Sequence, residues 1–188
     1  MCGRYLIEAD DMELSDIVAA AQNSLNARTS RQLFTGGEIF PGSMAPVLTA
    51  DDGARFMHWG FPGLISEQRP HINARSETAA ALRTFSGAMA SRRCIVPATS
   101  YFEWKALGKG RKDKYEFTLP DRAPMYMAGI YSGDGRFAIL TRAAAPVLLE
   151  IHGRMPVIIP KRLTSVWLNE TPEPMREAVT ELTFERAM

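Results

Sequence analysis

The stretch Met125-Tyr126-Met127-Ala128-Gly129-Ile130-Tyr131-Ser132-Gly133-Asp134-Gly135-Arg136-Phe137-Ala138-Ile139-Leu140-Thr141-Arg142 decides the class of fold. Met125 to Tyr131 and Phe137 to Arg142 alternate or run apolar, and Ser132 to Gly135 carries turn residues, so the segment reads as two strands joined by a turn. Upstream, Cys94 to Val96, Tyr101 to Lys105 and Tyr115 to Leu119 read as further strands, with a polar loop at Gly108 to Asp113 and a turn at Pro120-Asp121. Downstream, Pro146 to Ile151 and Leu163 to Leu168 read as short helices, Val157 to Ile159 as a strand, and the tail from Pro174 as a terminal helix. In the first half, helices are expected at Asp10 to Gln22, with Met12, Ile17 and Val18 on one face, and at Ser76 to Phe85, capped by Ser76, with Ala79, Ala80, Leu82 and Phe85 inside. Glu38 to Ala50 and Arg55 to Phe61 read as strands. Successive strands with helices inserted rather than alternating predict an α+β fold, a mostly antiparallel barrel-like sheet with flanking helices.

The 188 residues suffice for one substantial core, so a single domain over 1–188 is expected. A composition of 46% hydrophobic and 23% charged residues excludes a wholly disordered chain. No apolar run reaches the length of a bilayer span, and the N-terminus lacks the basic and apolar segments of a signal peptide. The formal charge of +1 decides nothing about nucleic acid, because a basic groove can hide inside a neutral total. Two cysteines make a disulfide framework implausible and point to a reducing, cytoplasmic interior. No His/Cys spacing fits a zinc site, so neither metal nor cofactor is expected, and nothing suggests more than a monomer.

Cys2 is the most informative residue. Removal of Met1 leaves one residue with a free α-amine and a thiol, groups that titrate at about 8 and about 8.5 in model peptides. The pair can capture an aldehyde, the amine as a Schiff base and the sulfur closing a five-membered thiazolidine. It can equally act as an N-terminal nucleophile, with the amine as base and the sulfur as acyl acceptor. Alone, Cys2 also suits a small apolar position in a first strand.

Three other segments carry chemistry. In His71-Ile72-Asn73-Ala74-Arg75-Ser76-Glu77-Thr78, an amide and a guanidinium two positions apart point to one side of an extended segment. Tyr101-Phe102-Glu103-Trp104-Lys105 sets a carboxylate between aromatics, where loss of water suits it to general acid–base work. Ile151-His152-Gly153-Arg154-Met155-Pro156 sets an imidazole at a helix–turn junction.

In this order, Met1-Cys2-Gly3-Arg4, Asn73-Ala74-Arg75-Ser76-Glu77-Thr78, Phe102-Glu103-Trp104 and His152-Gly153-Arg154-Met155-Pro156 resemble the SOS-response-associated peptidase (SRAP) family of abasic-site processing proteins. The match runs from Cys2 to about Trp167. The resemblance implies an α+β fold around a barrel-like sheet with a cleft for single-stranded DNA. It implies that the mature N-terminal cysteine forms a reversible thiazolidine with the opened sugar of an abasic site, shielding the lesion. The peptidase activity is then mainly removal of the chain's own Met1, and a minor lyase activity accompanies the Schiff base. By the same resemblance Cys2 is the nucleophile, and Asn73 positions the α-amine and the sugar oxygens. Glu103 moves protons, and His152 stabilises the sugar hydroxyl. Arg4 and Arg75 contact phosphates, Thr141 touches the DNA backbone, Trp59 stacks beside the lesion, and Pro41 lines the same wall. The implied partner is single-stranded DNA containing abasic sites, bound in the cytoplasm on the nucleoid, with no membrane involved.

The sequence departs from the family pattern in three places. Glu38-Ile39-Phe40-Pro41 stands for Asn-x-x-Pro, Phe61-Pro62-Gly63-Leu64-Ile65 for Leu-Ile-Pro after Trp-Gly, and Ser100 for Gly. Two other readings compete. An N-terminal-nucleophile amidohydrolase, such as a glutamine amidotransferase domain, also begins Met-Cys-Gly, and would need an oxyanion hole and an Arg clamp. A non-catalytic nucleic-acid-binding barrel would leave Cys2 incidental. His58 and His71 read as structural, Cys94 and Trp167 as core, Trp104 as packing under the site, and Lys109, Arg111, Lys112 and Lys114 as a solvated hairpin tip, with contact to phosphates as the alternative.

Overall fold

The two apolar runs of the second half pair antiparallel, with Phe137 opposite Tyr131 and Ile139 opposite Gly129. Around them the computed structural model describes residues 2–8, 10–26, 34, 36–51, 53–64 and 69–187. Along the chain run β1 (Tyr5–Ile7), α1 (Met12–Asn26), β2 (Gly37–Ile39), β3 (Met44–Thr49), β4 (Gly53–Trp59), β5 (Asn73–Arg75), α2 (Ser76–Ala79) and α3 (Ser86–Ser91). There follow β6 (Arg93–Ala98), β7 (Ser100–Gly108), β8 (Arg111–Thr118), β9 (Met125–Tyr131), β10 (Arg136–Ala143), β11 (Arg154–Pro156), α4 (Thr164–Asn169) and β12 (Thr183–Arg186). Met1 and Ile65, quoted above, lie outside the described residues.

Strands β10, β4, β3, β6 and β9 close a ring, with β5 and β11 added along β10. Within it β10 runs parallel to β4 and β5, and the other pairings are antiparallel. A second, wholly antiparallel sheet has the order β12-β8-β7-β1-β2. This is the expected α+β class. Every residue of β9 is buried because both faces are covered. Met125, Met127 and Tyr131 join one apolar cluster with Phe137 and Ile139, while Tyr126, Ala128 and Ile130 join a second with Ala138, Leu140 and Trp167. The period-two alternation thus feeds two cores rather than core and solvent. Gly129 sits where the wall is tightest: a Cβ there would lie 2.8 Å from Cys94 Sγ and 3.2 Å from the Ala138 carbonyl.

Several element boundaries differ from the sequence reading. Helix α1 starts at Met12, where Asp11 accepts the Leu14 N–H at 3.0 Å, and Met12 itself is exposed; Leu14, Ile17, Val18 and Ala21 face inward. The expected helix Ser76 to Phe85 breaks after Ala79, without a side-chain cap, and leaves Ala80 and Leu82 exposed. Phe85 instead turns edge-on to Phe61 and His71, and that packing overrides the helix propensity of the alanine run. The loop Gly108 to Asp113 is a tight hairpin turn with positive φ at Lys109 and Gly110, and β8 begins at Arg111. The strand expected at Val157 to Ile159 lies earlier, as β11, with Ile158 bridging Met127 and Val179. The tail from Pro174 is not a terminal helix. After one 3-10 turn at Glu173–Glu177 it ends as β12, which covers the edge of β8 and packs Phe184 on Phe117 and Tyr115. Cys94 and Trp167 are core residues, joined by a 2.8 Å hydrogen bond from Trp167 Nε1 to the Cys94 carbonyl.

Buried Arg93 ties two helices to β6. Its Nε donates to the Trp167 carbonyl at 2.6 Å and its Nη1 to the carbonyls of Met89 and Ala90 at 3.0 Å each, in the last turn of α3. Arg93→Ala strands these three acceptors and should destabilise the fold by about 3 kcal/mol, read as a shift in urea midpoint.

Candidate functional site

Strand β1 brings the N-terminus to β7. Tyr5 lies opposite Tyr101, and the Phe102 N–H donates to the Arg4 carbonyl at 2.9 Å. In an antiparallel pair each step back along β1 is a step forward along β7, so Cys2 comes alongside the Glu103 region. From the other sheet, β5 hangs parallel on β10 with Asn73 opposite Ile139, and Asn73 Nδ2 donates to the Cys2 carbonyl at 2.8 Å. On its other edge β10 carries β11, with Ala143 opposite Arg154, which delivers the loop holding His152. Asn73 and Glu103 therefore come to Cys2 from two elements, and His152 comes to Glu103 from a third.

Cys2 is wholly buried, and its thiol donates weakly to the Arg4 carbonyl at 3.8 Å. Burial pushes the thiol well above its ordinary range, and the neighbouring Glu103 carboxylate pushes it the same way. Glu103 is almost fully buried and its Oε1 lies 3.6 Å from Nδ1 of His152, whose ring is one-third exposed. That Nδ1 lies 3.0 Å from the Arg154 backbone nitrogen and 3.2 Å from the Arg154 carbonyl. Tyr5 and Tyr101 flank the cluster. Burial, then the Cys2 and Cys94 thiols, raise the Tyr5 phenol; burial, then Cys2 and Glu103, raise that of Tyr101. Among the described residues, buried side-chain atoms without a hydrogen-bond partner include Arg4 Nε, Tyr5 Oη, Asn73 Oδ1 and Arg154 Nε, all in or beside this cluster.

The expected DNA contacts fare differently. In β5, Ala74 faces the core while Arg75 is exposed on the side of Asn73, as the alternation predicts. Arg4 is half-buried and paired with Glu38 at 3.2 Å. Pro41 is exposed at a cavity of about 530 Å³ that also borders Ile72, Arg69 and Arg136. That cavity lies beside β5, and neither Cys2, Glu103 nor His152 lines it. Trp59 contributes to its floor, but the indole is fully buried between Tyr5 and Phe137, with Nε1 donating to the Ile72 carbonyl at 2.8 Å. Trp59, expected to stack beside a lesion, is here stacked on Phe137 and in edge contact with Tyr5. Thr141 has no exposure, and Arg154 reaches its carbonyl at 2.6 Å and its Oγ1 at 3.3 Å. Among the described residues no group of three or more His, Cys, Asp or Glu is arranged to hold a metal, and no helix is long and apolar enough to cross a membrane.

Sequence reading did not single out Glu77 and Arg154 as a pair, although both stand inside the quoted motifs. Arg154 Nη1 and Nη2 grip the two Glu77 oxygens at 2.6 and 2.9 Å and so brace the His152 loop against α2. The Arg154 guanidinium holds the Glu77 carboxyl down from 4.5 to about 2. Because the native state binds this proton less readily, the pair's stabilisation is complete above pH 4.5 and is lost as pH falls toward about 2. Glu77 is half exposed, so solvent screening limits the effect to about 1 kcal/mol or less. Glu77→Gln should lower the urea midpoint at pH 7 by that amount and flatten its decline between pH 4.5 and about 2.

A profile of the SOS response associated peptidase (SRAP) family matches residues 1–187. The chain is 30% identical over 190 residues to abasic site processing protein YobE of Bacillus subtilis (strain 168), covering 90% of this chain and 82% of that one. It is 34% identical over 142 residues to abasic site processing protein YedK of Escherichia coli (strain K12), covering 70% and 64%. Its fold is similar to that of a Bacteroides thetaiotaomicron protein solved by X-ray crystallography, with a TM-score of 0.76 at 20% identity over 100% of this chain and 92% of that one. A phage-related protein of Bordetella bronchiseptica superimposes with a TM-score of 0.73 at 24% identity, over 99% and 94%. With the family profile matched almost end to end, this chain belongs to the SOS response associated peptidase family.

Proposed function

We propose that this chain acts as one unit, a cytoplasmic monomer that binds single-stranded DNA and captures abasic sites covalently through Cys2. The observation that carries this reading is the convergence on Cys2 of Asn73 at 2.8 Å, buried Glu103, and His152 at 3.6 Å from that carboxylate. The relatives named as abasic site processing proteins support the substrate class. The orphaned donors and acceptor of Arg4, Tyr5, Asn73 and Arg154 suit a ligand rich in hydroxyl and phosphate oxygens.

The chemistry begins with hydrolysis of the Met1–Cys2 peptide bond, which consumes one water, releases methionine and frees the α-amine. The amine nitrogen adds to the C1′ aldehyde of the ring-opened deoxyribose, and loss of water gives an imine. Glu103 carries protons in ring opening and dehydration. The Cys2 sulfur then bonds to the imine carbon while the imine nitrogen gains the thiol's proton, closing the thiazolidine. Amine, thiol and aldehyde become one ring plus one water, with no change of oxidation state. A thiol held protonated by burial must shed its proton as it attacks, and Glu103 is the neighbouring base. His152 faces Glu103 and steadies the sugar hydroxyl, while Asn73 fixes residue 2 through its carbonyl. Loss of the C2′ proton at the imine stage, with departure of the 3′ phosphate, gives a minor lyase reaction. Exposed Arg75 and half-buried Arg4 bind phosphates, and Pro41 lines the strand's path beside the cavity.

Intact mass should show the loss of Met1, and incubation with an abasic single-stranded oligonucleotide should give a denaturation-resistant adduct. Cys2→Ala should abolish the adduct. Glu103→Gln should slow it on the order of 100-fold while changing oligonucleotide binding far less. Protein with a verified free Cys2 amine that forms no adduct would refute the proposal.

A further inference from the structure

Glu38 lies in β2 opposite Leu6 of β1. Its Oε2 accepts from Arg4 Nη1 at 3.2 Å, and its Oε1 accepts from Lys114 Nζ. Each cation rests on aromatic faces. The Arg4 guanidinium lies 4.2 Å from the centroid of Phe40 and 5.2 Å from that of Trp104, and the Lys114 ammonium 3.8 Å from that of Phe102. Trp104 and Lys114 are cross-strand partners in β7 and β8, so the shelf is built from rigid sheet. Lys114 is therefore no solvated hairpin tip.

Two cations meet one carboxylate here, and Arg4 stands two residues from Cys2. The side chains of Arg4, Glu38 and Lys114 are 30%, 29% and 21% exposed, so water reaches the cluster. Arg4 also keeps a buried Nε without a hydrogen-bond partner among the described residues, a donor that the single carboxylate does not satisfy. A phosphodiester, with several acceptor oxygens around one negative charge, matches this donor set better than Glu38 does.

We propose that Arg4 and Lys114 form a phosphodiester-binding site beside Cys2, and that Glu38 occupies it as an intramolecular stand-in which the DNA strand displaces. This rests on the reading that the partner is single-stranded DNA. Lys114 becomes a DNA contact, and Glu38 a brake on affinity rather than a structural brace for Arg4.

The test is equilibrium binding of the full chain to an undamaged, fluorescently labelled single-stranded oligonucleotide across a salt series, with thermal melting of each variant to verify folding. Glu38→Gln should tighten binding about two- to fivefold at low salt, the size expected on removing a partly exposed ion pair. Lys114→Gln should weaken binding and reduce the slope of log affinity against log salt by about 0.7, one single-strand phosphate contact. If folded Glu38→Gln binds equally or more weakly, or Lys114→Gln leaves the slope unchanged, the proposed site is wrong. Wild-type protein that binds the oligonucleotide at no salt concentration would instead overturn the DNA reading itself.

Discussion

One hydrogen bond, from Asn73 Nδ2 to the Cys2 carbonyl at 2.8 Å, crosses from the barrel to the second sheet, and the candidate site depends on it. Asn73 belongs to a three-residue strand hung on β10, and Cys2 precedes the strand that pairs with β7. An N-terminus is ordinarily the first segment to fray. Here the second residue is held by its own carbonyl, by the backbone pairing at Arg4 and by burial of its side chain. A residue held in this way is oriented before any ligand arrives.

The same junction explains why charged groups sit where water is scarce. Burying Glu103 is costly unless polar partners compensate, and its position between β1 and the His152 loop supplies that setting. Arg154 braces the loop, pairing with Glu77 outside and with the Thr141 carbonyl beneath it. Arg4 and Lys114 are arranged the same way on the opposite side, cations on aromatic shelves with one carboxylate between them. Strand β10 links the parts: β5 on one edge and β11 on the other place Asn73 and His152 on a single rigid element.

Much of this was legible because chemistry-bearing residues came in compact local patterns. Cys2, Asn73, Glu103 and His152 each stand in a short motif whose residue types are rare together, and all four gather in space. What local patterns do not show is the environment each side chain meets. Trp59 and Thr141 carry polar or aromatic groups of the kind that meets DNA, but whether such a group faces a groove or a core is set by neighbours distant in sequence, here Tyr5, Phe137 and Arg154. The C-terminal tail reads as a helix on propensity, whereas the open edge of β8 draws it into a strand. The alanine run after Ser76 stops short because Phe85 finds its place against Phe61 and His71.

By itself the sequence determined the α+β class, through apolar runs and turns in its second half, and set apart Cys2, Asn73, Glu103 and His152 as candidates, through their side-chain chemistry. Tertiary structure alone decided which of them meet. Glu38, Lys114, Glu77 and Arg154 are ordinary surface charges in the linear chain, and their pairings span 34 to 77 positions. Such long-range ion pairs leave no local periodicity to read: strand register and packing between elements bring them together, and burial of a hydrophobic face fixes each register.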